Sequence, residues 1–408
     1  MRPTLHFTAQ RGWINDPHGI TARNGGYDVF FQYVPHSTTW APSCHWGHAR
    51  GADLLSLNER EIAIAPGDGD DGIWTGCVVV DADNATAFYT ATSTPDFGIG
   101  RVRVARPTDP AWDNWEKGDT VVVAPKDLDL IAYRDPFIKR EADGWRMFVG
   151  AAGTDGTAMA LTYTSSDLDT WHYDGIALSR SITETEPVWM GGLWECPQIF
   201  EIDGVAVMIS SIWDQDVLHY AGYAIGSFDA GRFAPTRWGQ LTWGDSMYAP
   251  SLFADADGRA CLSFWLRGIE GEDWAGAHSI PYLLSIVDGD LVAKPHSDVN
   301  AHRLDQVFDG QLPALTADLH WHESRGSIEI TSGGEAAAIL RRDAANITIT
   351  VGDTESSVPV SGTVRIIIDG PVLEVASDAG LYATAVQPKG AKLCIAAANG
   401  LVDIFPLA

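Results

Sequence analysis

The sequence predicts an all-β protein, a five-bladed β-propeller followed by a small C-terminal β-sandwich. A short motif returns with a period near 60 residues through the first three quarters of the chain. Each return leads into short alternating strands and polar turns, with almost no 3.6-residue periodicity. The last quarter also alternates but lacks the motif.

The motif occurs as Trp13–Gly19 around Asp16, Ile73–Val79 around Trp74, Tyr133–Lys139 around Asp135, Trp194–Phe200 around Glu195 and Tyr248–Ala254 around Ala249. These reference residues stand 54 to 61 apart, a spacing that suits one propeller blade. A polar turn and an apolar run follow each: Tyr27–Tyr33, Ala85–Thr90, Trp145–Gly150, Val205–Ile209 and Arg259–Leu266. A third strand-like element comes next in most repeats, as in His45–Arg50, Ala158–Thr164, Leu218–Ile225 and Ile280–Val287. Five repeats of about four strands fit a propeller, and an ordinary sandwich or barrel offers no cause for such a period.

The fifth repeat ends near Ala293, which places the propeller at residues 1–296. A polar, turn-rich stretch at 297–311 reads as a linker. Residues 312–408 alternate strongly, with strands expected at Ser327–Thr331, Asn346–Val351, Val364–Ile368 and Leu373–Val375. Asp369-Gly370 between the last two is a hairpin signal.

The chain has 408 residues, 45% of them apolar, which excludes wholesale disorder. A net charge of −27 and a pI near 4.6 disfavour nucleic acid and anionic membranes, and suit a small neutral ligand. Sixteen tryptophans fit sugar binding as well as core packing. Cys44, Cys77, Cys196, Cys261 and Cys394 form no close pairs, so reduced thiols in a cytoplasmic protein are expected. The first residues show no signal-peptide core, and no apolar run is long enough to span a membrane. The sequons at Asn84 and Asn346 carry little weight in that setting. Nothing in the sequence indicates an oligomeric state.

Innermost propeller strands begin near one axis, so the repeat brings Asp16, Asp135 and Glu195, from the first, third and fourth blades, to one funnel. Glycoside cleavage needs such a set: a carboxylate to attack the anomeric carbon and a carboxylic acid to protonate the leaving oxygen. A third carboxylate can hold sugar hydroxyls. Taken singly, Asp16-Pro17 and Asp135-Pro136 also suit Asx-Pro turns. Glu195 lies in the apolar segment Gly191–Phe200, where a carboxyl is costly to ionise and is suited to act as a proton donor.

These segments resemble glycoside hydrolase family 32, the invertase, levanase, inulinase and fructan exohydrolase family. Trp13-Ile14-Asn15-Asp16-Pro17-His18-Gly19 is similar to its opening motif, with His18 where Asn is usual. Tyr133–Phe137 and Trp194–Pro197 resemble its second and third signatures. Phe30-Phe31-Gln32-Tyr33, Trp40 and His45–Ala49 are similar to its first-blade sequence. The resemblance covers the whole chain. It implies release of terminal β-D-fructofuranosyl units from sucrose or short fructo-oligosaccharides, by double displacement with retention and without metal or organic cofactor. It makes Asp16 the nucleophile, Glu195 the acid/base and Asp135 the transition-state stabiliser. Asn15, Gln32, Trp40, Trp74, Thr75 and Arg134 match positions that bind the fructose. The nucleophile and acid/base would then lie about 5–5.5 Å apart.

This sequence departs from the family pattern at several places. Gln198 stands where an acidic residue is usual, which bears on the setting of the acid/base. Thr75 replaces Ser, and Trp243–Tyr248, with Ser246, lacks the usual acid–aromatic pair. His36, His45 and His48 lack the spacing of metal ligands. The competing readings are a fructosyltransferase using the same intermediate, an inverting pentosidase and a sugar-binding propeller without catalysis.

Overall fold

The structure, a computed structural model, describes residues 1–82, 84–305, 312–398 and 402–408. It is all-β. Asp298–Ala301 is the single helix among the described residues, one turn long. It falls in the expected linker, whose residues 306–311 lie outside the described residues. Among the described residues no helix is long and apolar enough to cross a membrane.

Three repeats form four-stranded antiparallel sheets. They begin with Gly72–Asp81, Leu130–Glu141 and Leu193–Ile202 and end with Trp115–Val123, His172–Ser181 and Arg232–Gln240. The first and last repeats share a nine-stranded sheet. Its seam is Trp274–His278, which pairs in parallel with Gly12–Arg23 through Gly12↔Trp274 and Trp13↔Ala275, and antiparallel with Ala260–Glu270. The strand Gly12–Arg23 packs on Gly72–Asp81, that strand on Leu130–Glu141, that on Leu193–Ile202, that on Met247–Ala254, and the last returns to the first.

Second strands such as Gly144–Gly153 are buried along almost their whole length, because both faces meet a neighbouring sheet. That is why they read as unbroken apolar runs rather than alternating ones. Met147, Val149 and Ala151 face one cluster while Phe148 faces the next.

Beyond residue 312 the chain forms a six-stranded and a five-stranded sheet. Leu319, Trp321, Ile328, Ile330, Leu340, Ile366 and Ile368 fill the space between them. The observed strands Gly326–Ser332, Asn346–Val351, Val364–Asp369 and Val372–Ser377 contain the expected ones. The hairpin closes with Asp369 opposite Val372, and Gly370 takes a positive φ of 57°. Its turn residues are therefore Gly370-Pro371, one position later than the dipeptide that signalled it.

The two parts are not separated by a gap. Thr242–Trp243 pairs with Gly380–Ala385, and one core joins Leu5, Leu266 and Ile280 to Ile367, Val372 and Leu381. Asp369 caps the N-terminal segment: it accepts the backbone N–H groups of Thr4, Leu5 and His6 at 2.7–3.0 Å and sits 2.9 Å from His6 Nδ1.

Candidate active site

Every first strand carries the same irregularity. The pairing slips between Ile14 and Pro17, Trp74 and Gly76, Arg134 and Phe137, Glu195 and Gln198, and Tyr248 and Ser251. Four of the five slips contain a residue followed by proline. In three of these that residue is left-handed: Asp135 at φ 64°, Cys196 at 50° and Ala249 at 49°. Such a conformation costs about 1–2 kcal/mol for a residue with a Cβ, so something must hold it. Asp135 N–H donates to Thr90 Oγ1 at 2.8 Å, Cys196 N–H to Asp135 Oδ2 at 2.9 Å, and Ala249 N–H to Ser211 Oγ at 3.0 Å.

This proline frame corrects the register expected from sequence. Asp16, Asp135, Cys196 and Ala249 are equivalent, and Glu195 stands one residue earlier, level with Asn15, Arg134 and Tyr248. The bulge turns adjacent residues into the same pocket, so the offset explains which side chains meet. Arg134 Nη2 and Nε donate to Glu195 Oε1 at 2.9 and 3.2 Å, and the Tyr248 hydroxyl donates to Oε2 at 2.6 Å. Cys196 Sγ lies 3.7 Å from both Asp16 Oδ2 and Asp135 Oδ2.

Glu195 is therefore not alone in apolar company, as its sequence neighbours suggested. Trp194 and Ile199 are fully buried on other sides of the strand, while the carboxylate has a guanidinium and a phenol.

Asp16 accepts Thr75 Oγ1–H at 2.6 Å and Gln32 Nε2–H at 3.2 Å on Oδ2, and Asn15 Nδ2–H at 3.1 Å on Oδ1. Gln32 also donates to Thr75 Oγ1, so the three residues form one cluster. The Thr75 side chain thus supplies a hydroxyl donor to Asp16. Burial pushes the Asp16 carboxyl up to about 6, against the Thr75 hydrogen bond, and the charge of Glu195 adds to the rise. Burial likewise pushes Asp135 to about 7, with Arg134 opposing it and Glu195 and Asp16 reinforcing it. His278 Nε2 lies 3.0 Å from Asn15 O and supports the backbone just before Asp16.

Aromatic rings wall one side. Trp74 Nε1 donates to Pro42 O at 2.8 Å, and its ring lies 5.8 Å from the Arg134 guanidinium. Trp40 meets Trp74 edge-on at 5.9 Å and is 48% exposed, a large apolar face open to a ligand. Thus the expected residues Asn15, Gln32, Thr75 and Arg134 bond directly to Asp16 or Glu195, and Trp74 and then Trp40 adjoin them through Arg134. Tyr248, Phe97, which stacks on Trp74 at 6.4 Å, and His278 were missed. No local signal marks Phe97 or His278. Tyr248 could have been found, because the Tyr-Ala-Pro frame aligns it with Glu195.

The departures resolve structurally. Gln198 Nε2 donates to Pro250 O at 2.6 Å and Cys196 O at 3.1 Å, and its Oε1 accepts Leu252 N–H at 2.6 Å. It ties two first strands together, and a carboxylate there could not donate. Ser246 Oγ donates to Arg267 O, and Trp243 Nε1 to Ala379 O, so both serve packing rather than the pocket. Among the residues the metal reading considered, His48 is bound to Asp28 at 2.7 Å in a buried cluster with Arg50 and Arg23. Asp255, Cys261 and His296 do converge elsewhere, but Arg259 occupies that cluster, with Nε 2.7 Å from Asp255 and Nη2 3.1 Å from His296.

Comparison with known proteins identifies the family. Residues 6–295 match the model of the glycosyl hydrolases family 32 N-terminal domain. The chain is 29% identical over 344 residues to a sucrose-6-phosphate hydrolase of Zymomonas mobilis, covering 78% of this chain and 66% of the relative. It is 30% identical over 323 residues to one of Escherichia coli, covering 74% of this chain and again 66% of the relative. It thus spans just under two thirds of their length. A Bombyx mori GH32 β-fructofuranosidase, solved as a mutant in complex with sucrose, superposes with a TM-score of 0.86 at 22% identity, covering 100% of this chain and 94% of that one. A Lactobacillus gasseri sucrose-6-phosphate hydrolase superposes at 0.85 and 19% identity, covering 100% and 93%. The match over most of the chain, joined to the three motif carboxylates in one pocket, places this protein in glycosyl hydrolase family 32.

Proposed function

We propose that this chain is a retaining β-fructofuranosidase acting on sucrose or short fructo-oligosaccharides, built on a five-bladed propeller at 1–296 and a β-sandwich at 312–408. The observation that carries the reading is the division of partners between two carboxylates in one pocket. Asp16 is aimed by four neutral donors, from Thr75, Gln32, Asn15 and Cys196, while Glu195 is oriented by Arg134 and Tyr248.

In the first step Asp16 Oδ bonds to the anomeric carbon as the glycosidic bond breaks, and the leaving oxygen takes a proton from Glu195. In the second, Glu195 removes a proton from water, which attacks that carbon and expels Asp16. Two inversions give net retention. Asp135 accepts hydrogen bonds from fructose hydroxyls, and Arg134 donates to them in competition with Glu195. Thr75, Gln32 and Asn15 keep Asp16 aimed, while Trp40 and Trp74 cover the apolar faces of the sugar. Three carboxylates suffice for both proton and bond transfers without a cofactor.

A fructosyltransferase would differ only in which acceptor reaches the intermediate. Incubation with sucrose separates the readings: free fructose without longer oligosaccharides supports hydrolysis, kestose-type products support transfer, and no turnover of any fructoside supports a binding protein. Near wild-type fructose release by Glu195→Gln would overturn the acid/base role.

A further inference from the structure

The mouth of the pocket has a charge that bears on which fructoside enters, given the function proposed above. Strand pairing fixes which segments form it. Trp13 is opposite Val34, Gly72 opposite Thr92, Leu193 opposite Trp213 and Met247 opposite Leu266, and Gly153 is opposite Leu130. The segments after the second strands therefore lie beside those that lead into the first strands. Both sets sit at the strand ends nearest Glu195 and Tyr248.

These segments carry Asp71, Asp96, Asp155, Asp216, Asp245 and Glu272, all exposed and none in an ion pair among the described residues. The cations there are fewer, and most are engaged. Arg60 is paired with Asp113 at 2.8 Å, Arg2 with Asp273 at 3.8 Å and Arg101 with buried Asp70 at 2.6 Å, while Lys126 is exposed. Arg11 is exposed next to the first strand. Arg267 turns inward, with Nη1 donating to Leu218 O at 3.0 Å and its guanidinium 5.0 Å from the Tyr248 ring. Inside the pocket Arg134 is bonded to Glu195, and Arg267 lies within electrostatic reach of Glu195 and Asp245, so both cations already serve the acids there.

A phosphate dianion on the leaving sugar would have to cross this ring and come to rest beside it. Like charges at a solvent-exposed mouth repel over about one Debye length, roughly 30 Å at 0.01 M salt but well under 10 Å at 0.3 M. Neutral sugars feel no such barrier. We infer that the carboxylate-lined mouth selects uncharged fructosides and excludes those whose leaving group carries a phosphate. This separates the chain from the relatives named for sucrose 6-phosphate.

The test compares kcat/KM of the full chain for sucrose and sucrose 6-phosphate at about 0.01 M and 0.3 M ionic strength. Sucrose should be favoured by about tenfold or more at low salt, and the ratio should shrink at high salt. The triple variant Asp96→Asn, Asp155→Asn, Glu272→Gln should raise the value for the phosphate and leave that for sucrose unchanged. Preference for sucrose 6-phosphate at low salt would overturn the inference while upholding the fructosidase reading, more so if Arg267→Ala lowered only the phosphate's rate. Release of fructose from neither compound overturns both.

Discussion

The hydroxyl of Tyr248 donates to Oε2 of Glu195 at 2.6 Å, although the two residues stand 53 apart in the chain and on different sheets. Arg134 holds the other carboxylate oxygen, so Glu195 is fixed from both neighbouring repeats. A hydrogen bond to a charged group contributes about 1.5–3 kcal/mol. Tyr248→Phe should therefore lower kcat for sucrose about tenfold or more with little change in KM, since it orients the acid without touching the sugar. A change confined to KM would show that Tyr248 binds substrate instead.

The raised carboxyls set an acid limit on activity. As the proposed nucleophile Asp16 must be ionised, and burial pushes its pKa up to about 6, so kcat/KM should fall as pH drops through about 6. Thr75→Val removes the hydrogen bond that opposes this rise. The acid limb should then move to higher pH, read from full pH profiles of both enzymes.

The same burial makes the pocket a stability burden. A carboxyl whose folded pKa is raised prefers its proton in the native state, so it costs stability as pH rises from its unfolded value near 4 through its folded value. For Asp135 that window runs to about 7. Asp135→Asn should be more stable than wild type at pH 8, by an amount on the order of 2–3 kcal/mol, and the gap should close by pH 4. Thermal melts at the two pH values read this directly, and activity should be lost at both.

The N-terminal latch predicts the opposite slope. His6 is buried, and burial alone would lower its pKa, but Asp369 and Glu374 outweigh that and raise it to about 9. A histidine raised from 6.5 contributes stability that is complete below about 6.5 and lost as pH rises through about 9. Chemical denaturation of wild type should weaken across that interval, and His6→Gln should flatten the dependence while lowering stability at pH 6.

Gln198 separates structure from chemistry. Gln198→Leu strands Leu252 N–H and Pro250 O, each costing about 1–3 kcal/mol. The melting temperature should drop by several degrees, while kcat at 25 °C changes less than about threefold. A large fall in kcat with an unchanged melt would instead tie Gln198 to the reaction.

Much of this was legible in sequence because a sheet with two buried faces and a proline-marked bulge leave local traces. The first and second strands of the repeats, and the third strands of the first, third and fourth, fall where the motif and the apolar runs put them. The seam strand Trp274–His278 precedes the expected Ile280–Val287 and was missed. The three carboxylates were found through their shared segments, yet the one-residue offset of Glu195 was not, because two residues of a bulge share one pocket and only the pairing tells them apart. Phe97, His278 and the Asp369 latch depend on contacts between side chains remote in the chain, for which no spacing rule exists. Gln198 read in sequence as a departure bearing on the acid/base, because its role depends on a neighbouring strand's backbone.

The central claim is that Asp16 attacks the sugar while Glu195 serves both half-reactions. Its most direct measurement is mass spectrometry of Glu195→Gln or Glu195→Ala protein quenched during incubation with an activated β-fructofuranoside, whose leaving group needs no proton. The account predicts one added anhydrofructosyl unit on the peptide containing Asp16, and none in Asp16→Asn. Accumulation of free product with no adduct, or an adduct on Asp135, would contradict it.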